Sequence, residues 1–504
     1  MATATLHLDP AFRVGPLDRR LFGTFVEHMG RCVYTGIYEP THPTADEDGF
    51  RTDVLELVRE LGPTAVRYPG GNFVSGYRWE DGVGPVDERP RRLDLAWRSI
   101  ETNEFGLNEF MAWARKAQLE PIMAVNLGTR GVQEACDLLE YANLPSGTHY
   151  PDQRVAHGEK QPHDVRMWCL GNEMDGPWQV GHKTAAEYGR VAAETARAMR
   201  MVDPKVELIA CGSSNSAMPT FAAWEAVILE HTYHMVDHIS MHAYYEELED
   251  DLPSFLASGV DMDRFISAVV ATADHVGARL RNPKKLGISF DEWNVWYEKG
   301  RFVGVANLEV EQAPRLIEDV FNVADAVVVG DLLITLLRHA DRVAIACQAQ
   351  LVNVIAPIRT EPGGPAWRQT IFHPFAHTSR LAQGEVLQLA MDSPTCPTAK
   401  YGDVPALDAT ATWDAQAGAL SVFAVHRGTA EPLDVVLTLA QLQATGVSEA
   451  MVLAEDDHHL TNTQDDPDRV RPRELAATLT DGVLRFTLPP VSWAAVSLTA
   501  VVCP

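Results

Sequence analysis

The sequence lacks several features that would place it in common classes of protein. No apolar run approaches about 18 residues, so we expect no membrane-spanning helix. Positive charge is scarce: 42 Lys and Arg stand against 69 Asp and Glu, and the formal net charge of −27 is spread along the chain. Because such a surface would repel a polyanion, the composition argues against nucleic-acid binding. Repeats and low-complexity segments are also absent.

Cysteine is scarce and shows no disulfide pattern. The seven cysteines are scattered, and Cys169, Cys211 and Cys347 lie in apolar runs. Such cysteines are typical of small core residues in a reducing compartment. Residues 1–7 have neither the basic start nor the apolar core of a secretory signal. We therefore expect a cytoplasmic protein.

At 504 residues the chain is long enough for two domains. Over its first 350 residues or so, strand-like and helix-like patterns alternate eight times, which predicts an α/β fold of the (β/α)8 TIM-barrel type. A doubly wound open sheet is the alternative, but no glycine-rich phosphate-binding turn follows a predicted strand. The predicted strands begin at or near Leu21, Ala65, Pro121, Trp168, Val206, His238, Ile288 and Arg342. The predicted helices are residues 50–61, 108–118, 184–201, 221–231, 263–280 and 324–338.

After residue 380 the pattern changes from helical periodicity to short β-rich runs separated by turns. Residues 420–425, 433–437, 483–488 and 493–498 are such runs. Short strands at regular spacing predict a C-terminal all-β sandwich of jelly-roll type. Residues 3–8 form a strand-like segment ahead of the barrel and are a candidate to complete this sandwich.

Two of the predicted strands end in a glutamate. The run 165–170 is followed by Glu173, and the run 286–290 is followed by Glu292. Barrel enzymes carry their chemistry at the C-terminal ends of the strands, and two carboxylates there are the simplest apparatus for hydrolysing a glycosidic bond. Each alone could be a satisfied core residue, whereas the pair favours catalysis. Other polar residues at predicted strand ends suit the hydroxyls of a carbohydrate: Glu27, Arg67, Asn72, Asn126, Asn172, His242, Tyr244 and Gln350.

No metal or cofactor site is predicted. His231, His234 and His238 lie at a helix end, His242 belongs to a strand, and no cysteine or carboxylate falls beside them at zinc-site spacing. His373 and His377 are four residues apart, but we expect the intervening Pro374 to keep them off one regular helical turn. Hydrolysis by two carboxylates requires no metal.

Several motifs are specific in combination: Arg67–Phe73, Trp168–Glu173, His242–Tyr245, Asp291–Trp296 and Ala349–Asn353. Together they resemble the α-L-arabinofuranosidases of glycoside hydrolase family 51, retaining enzymes with a barrel fold. The resemblance runs along nearly the whole chain. It implies a catalytic barrel of residues 17–380, a β-sandwich domain of residues 381–504 completed by residues 1–16, and a homohexamer.

The resemblance also implies roles for individual residues. Glu173 is expected to be the general acid/base and Glu292 the nucleophile, so Glu173 must start protonated and Glu292 ionised. Arg67 and Tyr244 would keep Glu292 charged and oriented, and Asn172 would bind the sugar 2-hydroxyl. The remaining expected substrate-binding residues are Glu27, Asn72, His242, Trp296 and Gln350. Trp97 is a further candidate for an apolar wall of the binding site.

We therefore predict an exo-acting, retaining α-L-arabinofuranosidase that removes terminal arabinofuranosyl residues from hemicellulose or pectin fragments. Its partner would be an arabinofuranosyl oligosaccharide, with no nucleic acid or membrane. Hydroxyl stereochemistry is not readable from a sequence, so a β-xylosidase or a galactofuranosidase on the same frame stays an alternative. A non-catalytic carbohydrate-binding barrel is a third hypothesis, which the intact glutamate pair opposes.

Overall fold

Eight parallel strands close into a barrel, each hydrogen-bonded to the next along the sequence. The chain is described by a computed structural model, which covers residues 2–248, 251–297 and 309–502. The predicted (β/α)8 barrel is confirmed, and the open doubly wound sheet is excluded because the last strand pairs with the first. Strands one to eight of the barrel are Gly23–Phe25, Ala65–Tyr68, Glu120–Ala124, Met167–Leu170, Glu207–Ala210, His238–Tyr245, Gly287–Val295 and Val343–Gln348.

Helices follow the strands and cover the outside of the barrel. The helix Ala185–Val202 shows why one begins where it does: the Thr184 side chain accepts a hydrogen bond from the Glu187 backbone, and the Glu187 side chain accepts one from the Thr184 backbone. Within the described ranges, no helix has both the length and the apolar character to cross a bilayer. The helices are Thr52–Leu61, Leu107–Ala117, Val132–Asn143, His149–Ala156, Ala185–Val202, Ala223–Thr232, Leu252–Leu256, Ser258–Arg279, Val323–Arg338 and Phe372–Leu381.

The structure differs from the predictions at several local features. The first barrel strand is shorter than expected, because Asp18 caps a 3-10 turn over Arg19–Phe22. The helix Val132–Asn143 was not predicted, although its buried apolar residues follow helical spacing. His373 and His377 do share one helix, Phe372–Leu381, contrary to expectation. Pro374 lies in the first turn of that helix, where its missing N–H has no intrahelical partner to lose.

The C-terminal part of the chain and the first strand of the protein form one large sheet. The sheet is antiparallel except where that first strand runs parallel to Leu433–Leu439. This N-terminal strand, Ala2–Pro16, lies within the sheet between Glu385–Asp392 and Leu433–Leu439. The two ends of the sheet contact each other, so it folds over a shared apolar core as a β-sandwich. In spatial order its strands are Arg473–Glu474, Leu442–Leu453, Ser492–Val502, Ala419–His426, Leu407–Asp414, Glu385–Asp392, Ala2–Pro16, Leu433–Leu439, Val483–Leu488 and Ala477–Thr480.

A buried charge network joins the barrel helix Val323–Arg338 to the sandwich. The Arg427 guanidinium donates to Asp331 and to Asp408, in both cases at 2.6 Å. Arg338 donates to the same Asp408 carboxylate at 2.6 and 3.0 Å. Arg427 and both aspartates are almost fully buried, so each charge depends on the others for its partners.

We expect Arg427→Met to destabilise the protein by about 3–5 kcal/mol, because it leaves two carboxylates buried without their shared cation. A differential scanning calorimeter would register this as a lower unfolding temperature. The matched control is Arg13→Met, which removes an exposed ion pair with Glu385 that is worth about 1 kcal/mol or less. Burial raises the pKa of Asp331 to about 7. The loss of stability in Arg427→Met should therefore be smaller at pH 5, where Asp331 is protonated. Equal melting temperatures for the two variants would contradict this account.

Candidate active site

A cavity of about 330 Å³ opens at the C-terminal end of the barrel strands. That volume is suited to a small ligand such as one sugar ring. Three of the predicted site residues, Arg67, Asn172 and His242, do not line the cavity but lie buried beneath it. The predicted residues that do line it are Glu27, Asn72, Trp97, Glu173, Tyr244, Glu292, Trp296 and Gln350.

The two predicted glutamates meet in this cavity. A carboxylate oxygen of Glu173, one of Glu292 and a ring nitrogen of His242 all lie within 4.8 Å of one another. Retaining glycosidases hold their carboxyl groups about 5–5.5 Å apart, whereas inverting enzymes separate them by about 6.5–9.5 Å. Glu173 has a φ of 42°, in the left-handed region that a non-glycine residue rarely adopts. The turn after strand four thus holds its carboxylate at the short, retaining-type separation.

Glu292 is held by two donors, one from strand two across the barrel and one from the adjacent strand six. Arg67 Nη1 donates to one carboxylate oxygen and the Tyr244 hydroxyl donates to the other, both at 2.7 Å. Burial, together with the charge of Glu292, raises the pKa of Tyr244 well above its ordinary value, so the phenol stays a donor. Gly71 leaves room for this arrangement, since a Cβ there would lie 3.1 Å from a Glu292 oxygen. These contacts fix the position of both carboxylate oxygens.

Glu173 has a different environment. His242 Nδ1 lies 2.9 Å from Oε1 of Glu173, and the Trp178 indole donates to Oε2 at 2.6 Å. Trp178 lines the cavity and is half exposed. The Oε2 side of Glu173 therefore lies at the cavity, while the Oε1 side faces the buried His242.

A third carboxylate, Glu27, also lines the cavity, and one of its oxygens lies with an oxygen of Glu292 beside Gly71. Its oxygens accept hydrogen bonds from the Phe73 backbone at 3.0 Å, the Trp97 indole at 2.9 Å and the Gln350 amide at 3.0 Å. Burial raises the pKa of Glu27 to about 8, against the lowering effect of its donors. The Gln350 side-chain oxygen is buried and has no hydrogen-bond partner within the described residues. It is therefore positioned to accept a hydrogen bond from a hydroxyl group of a ligand.

Two asparagines lie close to the glutamates. Arg67 donates to Asn172 Oδ1 at 2.6 Å, which turns the Asn172 amide nitrogen toward Asn72 Oδ1 at 3.4 Å. Trp296 packs edge-on against Tyr244, with ring centroids 5.0 Å apart. Asn126 instead stabilises its own loop through bonds to Tyr77 and Thr129 and does not line the cavity.

The glutamates and His242 are close enough together to suggest a cation site, but the protonation of the histidine opposes it. Its Nδ1 lies 2.9 Å from Glu173, and its Nε2 lies 3.0 Å from Asp291. Burial would lower the pKa of His242, but the charge of Glu292 and the bonds to Asp291 and Glu173 raise it to about 10. An imidazolium has no lone pair for a metal. These groups instead form a hydrogen-bonded charge cluster.

Sequence reasoning missed two residues of the site, Trp178 and Asp291. Trp178 follows Glu173 by five residues, and only the tight turn between them brings its indole back to the carboxylate. Asp291 precedes Glu292 and would point away from it in a regular strand. A bulge in strand seven turns both carboxylates toward the barrel axis. Neither contact has a local sequence pattern.

Two models of known protein families match the chain. A family model described as the α-L-arabinofuranosidase 1 domain matches residues 57–251, and one described as the α-L-arabinofuranosidase C-terminal domain matches residues 291–492. The second match begins inside strand seven, so the boundary between the two models falls within the barrel. Together they span most of the chain.

Several relatives match this chain over nearly its full length. The intracellular exo-α-(1→5)-L-arabinofuranosidase of Streptomyces lividans is 62% identical, over 98% of this chain and 75% of its own. The exo-α-(1→6)-L-arabinofuranosidase of Bifidobacterium longum is 56% identical, over 97% and 96%. A solved family 51 α-L-arabinofuranosidase from Bifidobacterium longum superposes with a TM-score of 0.95 at 48% identity, covering 99% of this chain and 100% of that one.

Proposed function

The chain belongs to the α-L-arabinofuranosidases of glycoside hydrolase family 51, and from that membership we propose how its own residues divide the reaction. The protein is an exo-acting α-L-arabinofuranosidase that acts on arabinofuranosyl oligosaccharides. In our proposal Glu292 is the nucleophile and Glu173 the general acid/base of a retaining double displacement. The observation that carries the proposal is the short separation of these two carboxylates.

In the first step Glu292 attacks the anomeric carbon as the glycosidic bond breaks. Glu173 gives its proton to the departing oxygen, so the aglycone leaves as a neutral alcohol. Arg67 and Tyr244 keep Glu292 anionic before the attack, and their bonds weaken as its charge passes into the new ester. In the second step Glu173, now a carboxylate, takes a proton from water while the water oxygen bonds to the anomeric carbon and the ester bond to Glu292 breaks. This releases the sugar with its original anomeric configuration and restores both glutamates.

The other cavity residues are proposed to hold the arabinofuranosyl ring. Asn172 is not among the lining residues, but its amide lies just beneath them beside Asn72 and is proposed to bond the 2-hydroxyl, a contact that can strengthen in the transition state. Glu27 and Gln350 bind further hydroxyls, and Trp97 fixes Glu27 through its indole. Asn72, Tyr244 and Trp296 form the remaining polar and apolar walls.

Four broader predictions also remain proposals. We propose that residues 17–380 are the catalytic domain, with residues 381–504 and 1–16 as an accessory β-domain; the pairing of the first strand with Glu385–Asp392 supports this division. An intracellular location is supported by the names of the relatives from Streptomyces lividans and Bacillus subtilis. The homohexamer, and the absence of membrane or nucleic-acid partners, stay predictions from family resemblance and composition.

A substrate panel tests the specificity. We expect release of 4-nitrophenol from the α-L-arabinofuranoside with a kcat/KM at least about 100-fold above those for the β-D-xyloside and the β-D-galactofuranoside, since each lost or misplaced sugar contact in a polar site is worth a factor of 10 or more. Relatives are named for (1→5) and for (1→6) linkages, so both disaccharides belong in the panel. Preference for the xyloside or the galactofuranoside would overturn the assignment of substrate.

A further inference from the structure

The bulge in strand seven gives Asp291 an unusual position. Against strand six, Ser289 pairs with Ser240, but the next pair is Glu292 with His242. Two residues of strand seven therefore oppose one residue of strand six, and Asp291 is one of the two. Its side chain is 1% exposed and lies inside the barrel beneath the glutamate pair.

Asp291 contacts the cations that serve both glutamates. Its Oδ1 lies 3.0 Å from His242 Nε2, and its Oδ2 lies 3.7 Å from Arg67 Nε. The Cys169 thiol also donates to Oδ2, at 3.5 Å. Although burial opposes it, the charges of Arg67 and His242 lower the pKa of Asp291, so it is ionised. Asp291 is therefore a buried counter-ion shared by two cations.

The charges around His242 can be balanced explicitly. Arg67 and His242 are cations, and Asp291 and Glu292 are anions. Glu173 is the fifth group, and His242 lies 2.9 Å from it and 3.5 Å from Glu292. The first four charges cancel, so the hydrogen bond from His242 decides which oxygen of Glu173 holds the acid proton that the first chemical step needs. Asp175, whose pKa burial raises to about 6, is a further carboxylate near Glu173.

We infer that Asp291 is a positioning residue for the general acid: it holds His242 as an imidazolium whose Nδ1–H donates to Oε1 of Glu173, so that the acid proton of Glu173 resides on Oε2. The inference rests on the proposed role of Glu173. A carboxylic acid that accepts a bond on one oxygen as its carbonyl must carry the proton on the other.

This placement directs the proton toward the substrate. Oε2 accepts the Trp178 indole N–H through a lone pair, at 2.6 Å, and its own hydrogen stays available to the glycosidic oxygen. In the transfer, the Oε2–H bond of Glu173 breaks and an O–H bond forms on the aglycone. His242 and Asp291 exchange no proton with the substrate, so the effect of Asp291 is on where the acid proton is held.

Asp291→Asn tests the inference through pH and leaving group together. Removing a negative charge beside His242 and Glu173 should make the cluster lose its proton about 1–3 pH units lower. The basic limb of the pH profile of kcat/KM should therefore shift to lower pH by the same amount. At pH 7, hydrolysis of an arabinobioside should fall by about 10-fold or more, because part of the general-acid effect is lost. Hydrolysis of the 2,4-dinitrophenyl arabinofuranoside, whose leaving group needs no proton, should slow much less.

A matched control is Asp331→Asn, the same substitution at another buried aspartate, whose carboxylate bonds Arg427 far from the cavity residues. It should leave the basic limb in place, even if the melting temperature changes. An equal loss of Asp291→Asn activity for both substrates, with an unmoved limb, would indicate a purely structural role and overturn the inference.

His242→Gln probes the arrangement from the other side and serves if Asp291→Asn does not fold. It removes a positive charge beside Glu173 while keeping an N–H donor, so the basic limb should move to higher pH. In that background Asp291→Asn should change arabinobioside hydrolysis by no more than about twofold, because residues that act through one another are not additive. A basic limb that His242→Gln leaves unmoved would also overturn the inference. If Glu173→Ala did not lose its activity according to the leaving group, the proposed role of Glu173 itself would be wrong. That result is distinguishable from a failure of the inference about Asp291.

Discussion

Glu292→Ala is expected to lose turnover of every arabinofuranoside by about 10⁴- to 10⁶-fold, the order seen when a catalytic nucleophile is removed. The loss should not depend on the leaving group, because no covalent intermediate can form without the carboxylate. Arg67 and Tyr244, whose donors lie 2.7 Å from the Glu292 oxygens, would then line an empty space that attracts an anion. Azide should bind there and attack the anomeric carbon directly.

The azide product identifies the nucleophile. Attack on the face that Glu292 vacated should give the β-L-arabinofuranosyl azide, inverted relative to the substrate. Glu292→Gln is the matched control, since its amide removes the nucleophile but fills the same space and should show no azide rescue. Circular dichroism checks that both variants fold. Retained turnover in folded Glu292→Ala would remove this residue from the nucleophile's role.

The barrel was predictable because its signals are local. Each strand is a short apolar run, and each helix has an apolar face at 3.6-residue spacing, as in Ala185–Val202. The sequence predictions were wrong where a single side chain changes the backbone conformation that the local pattern predicts. Asp18 converts the expected start of the first strand into a 3-10 turn, and the first-turn position of Pro374 makes it compatible with a helix.

The glutamate pair was predictable for a similar reason, since strand ends of a closed barrel must converge. The contacts between site residues were not. Trp97 reaches Glu27 only because its loop is fixed elsewhere: Asp94 accepts the Trp97 backbone N–H at 2.8 Å, and Glu101 bonds His28 at 2.8 Å. Asp291 enters the barrel only because of a bulge. Both depend on pairings between segments that are distant in the sequence.

Glu173→Ala should separate the two chemical steps. With an arabino-oligosaccharide, whose leaving alkoxide needs a proton, turnover should fall by about 10²- to 10⁴-fold. With the 2,4-dinitrophenyl arabinofuranoside the first step should proceed readily, since dinitrophenolate leaves without help. The arabinofuranosyl-enzyme should then accumulate, because no base remains to activate water. Stopped-flow absorbance should show a burst of dinitrophenolate followed by a slow steady state.

Azide completes this test because it is a nucleophile that needs no base. In Glu173→Ala it should accelerate the slow phase and yield the α-L-arabinofuranosyl azide, which has the configuration of the substrate. Trp178→Phe is the matched control: it removes the donor to Oε2 of Glu173 but leaves the carboxylate, so it should lower the rate without azide rescue. If azide gave the α-azide with Glu292→Ala and the β-azide with Glu173→Ala, the two roles would have to be exchanged. The difference follows from the environments of the glutamates, since Glu292 lies between two fixed donors and Glu173 lies between a buried imidazolium and the open cavity.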